Sequence, residues 1–181
     1  MALMTRRAPF LIIAGLCVGL LAFGYFLQFH SGQEPCPLCI FQRICYFAIG
    51  LVGIVAGLQA PRYTGTMGYG AVLFLSSSIG AGIAGRQVWL QHLPGDQIPE
   101  CGPGLDFLLE MYPLTETIRT VLRGSGDCAK VDWTFLGMSV AEWSLLCFLG
   151  ICATCLYFMY QWTVQRPLQV RPSRTRRRTR V

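Results

Sequence analysis

The chain has 181 residues, of which 53% are hydrophobic and only 13% charged, and its formal net charge is +6. A soluble domain carries about 25% charged residues, so the composition excludes an ordinary soluble fold. So much apolar residue also excludes a disordered chain.

The apolar residues are concentrated in four uncharged stretches. The first runs from Phe10 to Phe29, 20 residues, long enough to cross a bilayer core. It lacks a small-residue cleavage site and reads as an anchor rather than a removed signal peptide. The second, Ile44 to Ala60, has 17 residues. It reaches adequate length if its helix starts near Pro37 and carries Arg43 in its second turn. Tyr63 to Gly85 and Trp143 to Gln165 supply 23 residues each. The expected fold is an all-α integral membrane protein, a four-transmembrane-helix bundle with helices over roughly 10–29, 37–60, 63–90 and 143–165. Loops then fall at roughly 28–36 and 91–142. The bundle occupies 1–165, and an Arg-rich tail occupies 166–181.

Charge orients the bundle. Four helices put both termini on one side, with Arg6, Arg7, Arg62 and the seven arginines of the tail. All nine acids fall on the other side, Glu34 in the first connection and the rest in the third. The positive-inside rule places the termini in the cytoplasm and the acidic loops outside. The tail then reads as a topology determinant that also meets anionic lipid headgroups, rather than as a nucleic-acid site.

The long outer loop is not uniformly polar. Leu105, Leu108, Leu109 and Tyr112 recur at helical spacing, as do Ile118, Val121 and Leu122 after Thr115, an expected N-cap. Pro113 separates the runs. A short amphipathic helix on the membrane surface and a helix packed on the bundle both fit. Gly102-Pro103-Gly104 and Gly124-Ser125-Gly126-Asp127 read as turns or hinges.

Nine cysteines divide by depth. Cys17, Cys45, Cys147, Cys152 and Cys155 lie within the apolar spans, where a free thiol is a small hydrophobe. Cys152 and Cys155 form a C-x-x-C, but Cys152 is about 13 Å into its helix at 1.5 Å per residue. The remaining four lie on the outer, acidic side. Cys101 and Cys128 could simply staple the long loop, at roughly 3 to 4 kcal/mol. Cys36-Pro37-Leu38-Cys39 fits that role poorly, because so short a loop removes little chain entropy. A redox pair fits better than half of a zinc site, since Cys101 and Cys128 lack C-x-x-C spacing and His92 is the only loop imidazole besides His30; no metal is expected.

Local physics favours reactivity. Pro37 suits the first helical position, which places Cys36 near the N-cap and Cys39 in the first turn. There the helix N-terminus stabilises thiolate. Arg43 follows Cys39 by four residues on the same helical face, and a guanidinium just inside a membrane is a functional candidate. Arg86, one to two turns below the end of the third helix, reads as snorkelling. His92, just past it, is a candidate donor or proton relay. Two dithiol pairs can pass a disulfide by thiolate exchange. The electrons need an acceptor, and no haem or flavin motif is present. A quinone can reach Cys39 and Arg43 from within the bilayer.

Cys36-Pro-Leu-Cys-Ile-Phe-Gln-Arg43 resembles the helix-mouth motif of the disulfide bond formation protein B (DsbB) family. Gly124-Ser-Gly-Asp-Cys128-Ala and Trp133-Thr-Phe-Leu-Gly137 resemble that family's second loop. The resemblance covers the first to the fourth helix and leaves out the tail. It implies a bacterial inner-membrane oxidase that reoxidises a periplasmic DsbA-like thiol oxidase and reduces ubiquinone or menaquinone. It also implies that Cys101 takes the partner's attack, that Cys36 and Cys128 exchange between loops, and that Cys39, Arg43 and His92 meet the quinone. A vitamin K epoxide reductase-like enzyme would carry its helix-mouth pair on a late helix and its long loop early, the reverse of this order. A tetraspanin-like interaction protein would need neither Cys36-Pro-Leu-Cys39 nor Arg43, and its Cys-Cys-Gly motif is absent.

Overall fold

The computed structural model describes residues 2–32, 35–61, 63–97, 105–131 and 133–169. Four long helices dominate: α1 (Ala2–Ser31), α2 (Pro37–Gln59), α3 (Tyr63–Gln91) and, last in the chain, α7 (Val140–Gln169). Each contains a span long and apolar enough to cross a membrane. Between α3 and α7 lie a 3₁₀ turn (Gly95–Gln97), the short helices α4 (Leu105–Met111), α5 (Leu114–Arg123) and α6 (Gly126–Ala129), and a hairpin of β1 (Thr134–Phe135) and β2 (Met138–Ser139).

Helix α7 starts earlier than the apolar stretch suggests. Ser139 Oγ accepts from the Glu142 backbone N–H at 3.3 Å, and Glu142 Oε2 accepts from the Ser139 N–H at 2.6 Å. This capping box draws Glu142 into the first turn of the helix, where an acid also suits the positive end of the dipole. The helical backbone continues to Gln169, four residues into the segment expected as tail. The loop helices also differ in detail. Thr115 is not the N-cap of α5. Pro113 is, in extended conformation, and its carbonyl accepts from Glu116 and Thr117 N–H at 3.0 and 3.1 Å. The hairpin closes through Leu136 and Gly137, both at positive φ, as a two-residue turn matched to strand twist requires.

Extensive contacts join α1 to α2, α2 to α3 and α3 to α7, so the helices follow one another around the bundle in chain order. Lipid supplies no hydrophobic drive between helices, and close packing must hold them. One face of α2 is adapted to this. A Cβ on Gly53 would lie 3.0 Å from the Phe10 carbonyl oxygen and 3.2 Å from Ala14 Cβ, so only glycine lets the two backbones approach this closely. The core along the bundle combines Ile13 and Cys17 of α1, Tyr46 and Ile49 of α2, Leu73 and Ala84 of α3, and Phe148 and Ile151 of α7. Tyr46 stacks on Phe148 at 4.1 Å, and its hydroxyl meets Ser144 Oγ at 3.0 Å.

The loop helices cap one end of the bundle. Thr117 and Val121 of α5 are buried, whereas Leu114, Ile118 and Leu122 on the adjoining stripe are exposed. Helix α5 therefore packs on the bundle with one edge, the second of the two placements its sequence allowed, and leaves an apolar edge open. Its C-terminal end is tied down by Arg86, which donates to the Leu122 and Arg123 carbonyls at 3.2 and 2.9 Å and lies 4.2 Å over the Trp89 ring. Arg86, expected from the sequence to snorkel, is thus a helix-end donor. The following residue, Gly124, has φ +81°, and a Cβ there would overlap Leu90 Cδ1. The Gly-Ser-Gly segment is in this arrangement a packed corner that delivers Cys128 to the mouth of α2.

Candidate functional site

The site is built on the first turn of α2. Cys36 is its N-cap, in extended conformation, and Pro37 follows at the first helical position. Pro37 has no N–H to satisfy, which leaves those of Leu38 and Cys39 as the first orphan donors of the helix. Sulfur takes both. The Cys39 N–H points at Cys36 Sγ at 3.4 Å, and the Leu38 N–H bonds to the sulfur of Cys128. Cys36 Sγ and Cys39 Sγ are 3.1 Å apart.

Cys128, on α6, is buried and brings a third thiol to this cluster. Its sulfur accepts from the Cys36 thiol and from backbone N–H groups of Ser125 and Leu38, against the cost of burial. These donors hold its pKa down to about 6, from an ordinary value of 9.0. The same contact with Cys128, together with that to Cys39 and burial, pushes the Cys36 thiol well up. The two shifts run in opposite directions: the contact favours the anion on Cys128 and the hydrogen on Cys36. A thiolate beside a second sulfur is the geometry from which thiol–disulfide exchange starts.

Behind the thiols lie two buried amides, Gln42 and Gln87. Gln42 Nε2 donates to Gln87 Oε1 at 2.6 Å, and Gln87 Nε2 reaches Cys39 Sγ at 3.2 Å and Cys36 Sγ at 3.5 Å. On the other flank Arg43 ties α2 to α1. Its Nη1 donates to Gln28 Oε1 at 2.6 Å, its Nη2 to the Gly24 carbonyl at 3.1 Å, and its guanidinium lies 4.8 Å from the centre of the Tyr25 ring.

A cavity of about 530 Å³ adjoins the cluster. It occupies the gap between α1 and α7, which are not joined by extensive contact, and α2 forms its back wall. Cys39, Arg43 and Gln87 give it a polar end, Leu20, Leu21 and Cys147 an apolar one. Trp133, Phe135 and Trp143 form part of its rim. Trp133 packs edge-on against Phe23 of α1 at 5.5 Å and stacks on Phe135 at 6.0 Å. Volume and lining suit a small, mostly apolar ligand with a polar head.

Of the residues singled out in the sequence, Cys36, Cys39, Cys128 and Arg43 come together here. Cys101 lies outside the described residues. His92 does not line the cavity. It is exposed, with Nδ1 2.9 Å from the Val88 carbonyl and Nε2 3.8 Å from Glu142. The sequence reading passed over Gln42, Gln87, Gln91, Tyr46 and Ser144, all in the cavity lining. Uncharged amides leave no mark on a charge count, and both Gln42 and Gln87 sit just outside the uncharged apolar stretches. Their only signal is an amide at the mouth of each of two neighbouring spans.

Fold and site together define a class: a multi-pass helical membrane protein with a C-x-x-C pair at a helix mouth and a third loop thiol docked on it. The family model described as "Disulfide bond formation protein DsbB" matches residues 6–158. Similar curated proteins, each called disulfide bond formation protein B, include one from Methylococcus capsulatus (strain ATCC 33009 / NCIMB 11132 / Bath), 45% identical over 92% of this chain and 100% of its own length. One from Azoarcus sp. (strain BH72) is 46% identical over 86% of this chain and 93% of its own length. Another, from Nitrosococcus oceani (strain ATCC 19707 / BCRC 17464 / JCM 30415 / NCIMB 11848 / C-107), is 49% identical over 80% and 85%. The chain belongs to the DsbB family, whose members are disulfide bond formation proteins.

Proposed function

We propose that the chain is a protein-dithiol:quinone oxidoreductase that regenerates the disulfide of a periplasmic DsbA-like thiol oxidase. The observation that carries the reading is the three-thiol cluster of Cys36, Cys39 and Cys128 opening on a cavity that Cys39 and Arg43 line. The chain sits in the bacterial inner membrane with its termini in the cytoplasm. The charges support this: Arg7 lies at the start of α1, and Asp96, Glu110, Glu116 and Asp127 lie at the opposite end of the bundle.

The exchange balances as follows. A thiolate of the reduced partner attacks Cys101 in a Cys101–Cys128 disulfide, and Cys128 leaves as thiolate. The partner's second thiol displaces Cys101, so the partner departs oxidised. Cys128 then attacks Cys36 of the Cys36–Cys39 disulfide, and Cys39 leaves as thiolate. Cys101 resolves the Cys36–Cys128 bridge, which restores the loop disulfide and leaves Cys36 and Cys39 as a dithiol. In both halves Cys36 is held in its disulfide and has no hydrogen to give, so the donors left to a Cys128 thiolate are those of Ser125 and Leu38.

The cavity fits a quinone headgroup with the start of its tail. A bound ubiquinone or menaquinone would supply a two-electron, two-proton acceptor for the dithiol. Cys39, Arg43 and Gln87 would hold its polar edge, and α1 and α7 would flank its apolar part. Arg43 is already fixed by Gln28 and Gly24, so its charge is preorganised toward the cavity. His92 reaches such a site only through rearrangement. The test is quinone reduction by the purified full chain given a reduced DsbA-like protein. One quinol formed per partner disulfide is expected. Partner oxidation that does not depend on added quinone in a quinone-stripped preparation would overturn the assignment.

A further inference from the structure

Gln87 is 4% exposed and Gln42 is 5% exposed, and neither belongs to the set of cysteines and arginine that the exchange requires. Their arrangement is directional. Gln42 Nε2 occupies Gln87 Oε1 at 2.6 Å and so fixes which way the second amide faces. The Gln87 NH₂ group is thereby turned to the two sulfurs of the helix-mouth pair, at 3.2 and 3.5 Å. The same amide can also serve a protonated Cys39, whose Sγ lies 3.6 Å from Gln87 Oε1.

We propose that Gln87 is a hydrogen-bond donor to the reacting sulfurs that stabilises the reduced form of the Cys36–Cys39 pair, and that Gln42 is the positioning residue that aims it. This rests on the reading of Cys36–Cys39 as the redox pair. The physical basis is a difference between two states of the same atoms. When the disulfide opens, Cys39 leaves as a thiolate, a strong acceptor, and charge-assisted bonds are about twice as strong as neutral ones. In the disulfide both sulfurs are neutral, weak acceptors. The Gln87 N–H groups, on a side chain only 4% exposed, then lie buried and poorly paired, which costs free energy in the oxidised form. Both effects act in one direction. They make the helix-mouth disulfide easier to reduce and hence a stronger oxidant of the loop thiols, as stabilising a reduced form does in general.

The test is a redox equilibrium of the full chain in lipid nanodiscs with reduced and oxidised glutathione. Two glutathione thiols reduce the Cys36–Cys39 disulfide and leave as one glutathione disulfide. Acid quench, differential alkylation and peptide mass spectrometry then read Cys36 and Cys39 separately from the other thiols. Gln87→Met keeps length and burial but removes the donor, and it should lower the equilibrium constant for reduction by about tenfold. Gln42→Met leaves Gln87 in place but frees its amide to turn, and it should give a smaller shift in the same direction. A constant unchanged within twofold in both variants would overturn the proposal. If Gln87→Met does not fold, Gln42→Met alone decides, and no shift there overturns it equally. A wild-type pair that never exchanges with glutathione would instead sink the redox reading of Cys36–Cys39 itself, so the two failures are distinguishable.

Discussion

The chain carries two C-x-x-C pairs, and they lie in different chemical worlds. Cys36 and Cys39 sit at a helix N-terminus. Backbone N–H groups, an oriented amide and a third thiol surround them, and Arg43 stands one turn on. Cys152 and Cys155 sit within α7. Cys155 is buried beside a small cavity of about 50 Å³ lined by Phe10, Leu73 and Phe158. Among the described residues, the hydrogen-bond partners of the Cys152 sulfur are the hydroxyls of Ser77 and Ser78, at 3.0 and 3.6 Å. Spacing is identical, so spacing does not make a thiol reactive. What differs is the supply of donors for a thiolate. Mid-helix N–H groups are already committed to carbonyls four residues back, whereas those of the first turn are free to turn to sulfur.

The comparison breaks most visibly by substitution. Cys36→Ala or Cys39→Ala should reduce partner oxidation to the rate without protein, because the reacting sulfur is gone. Cys152→Ala and Cys155→Ala should leave the rate within about twofold and cost roughly 1 kcal/mol of packing each. Steady-state oxidation of a reduced DsbA-like protein reads the rates, and thermal unfolding in detergent reads the packing. A comparable loss of rate from the α7 pair would show that depth does not silence a C-x-x-C.

A smaller effect is expected at Arg43. Arg43→Ala removes a guanidinium from the polar end of the cavity and the tie to Gln28 and Gly24. Loss of one charge-assisted hydrogen bond is worth roughly 1.5 to 3 kcal/mol, or about one to two decades in apparent quinone affinity or turnover. A full quinone titration checks this. Arg43→Lys keeps charge but not the two-pronged tie to α1, and it should recover only part of the loss. Kinetics unchanged in Arg43→Ala would leave the guanidinium as a brace between α1 and α2.

The outer site was legible in the sequence where the chemistry leaves a local mark. Pro37 after Cys36 announces a helix start, four uncharged stretches announce four spans, and Pro113 divides two amphipathic runs. The start of α7 was misjudged because Glu142 counts as a loop acid until its exchange of hydrogen bonds with Ser139 is seen. The docking of Cys128 was legible only through family resemblance. It depends on contacts distant in the chain: Arg86 on the end of α5, and Gly124 on Leu90. The amide pair was illegible for the same reason. Gln42 and Gln87 are 45 positions apart, and only the packing of α2 on α3 makes them one device.

The smallest effect sharpens the contrast most, since it separates donors from mere exposure. Cys128 is as buried as the core thiols of the bundle, yet its pKa is held down to about 6 by the Cys36 thiol first, and by backbone and side-chain donors after it. In the reduced protein its alkylation rate should therefore rise through a midpoint near pH 6, three orders of acidity below an ordinary thiol at 9.0. The sign of the linkage follows. A folded-state pKa below the unfolded value adds stability that is complete above about pH 9 and is lost as pH falls toward 6. The docked loop should accordingly loosen on acidification. Cys36→Ala removes the largest of the lowering contacts but leaves the N–H groups of Leu38 and Ser125. The midpoint should move part of the way toward 9.0, and alkylation of Cys128 at pH 7 should slow severalfold. Peptide mass spectrometry after timed alkylation measures both. A midpoint that stays near 6 in Cys36→Ala would assign the low pKa to the backbone donors alone. A wild-type midpoint near 9 would mean that burial outweighs every donor, and that Cys128 waits for another event to become a thiolate.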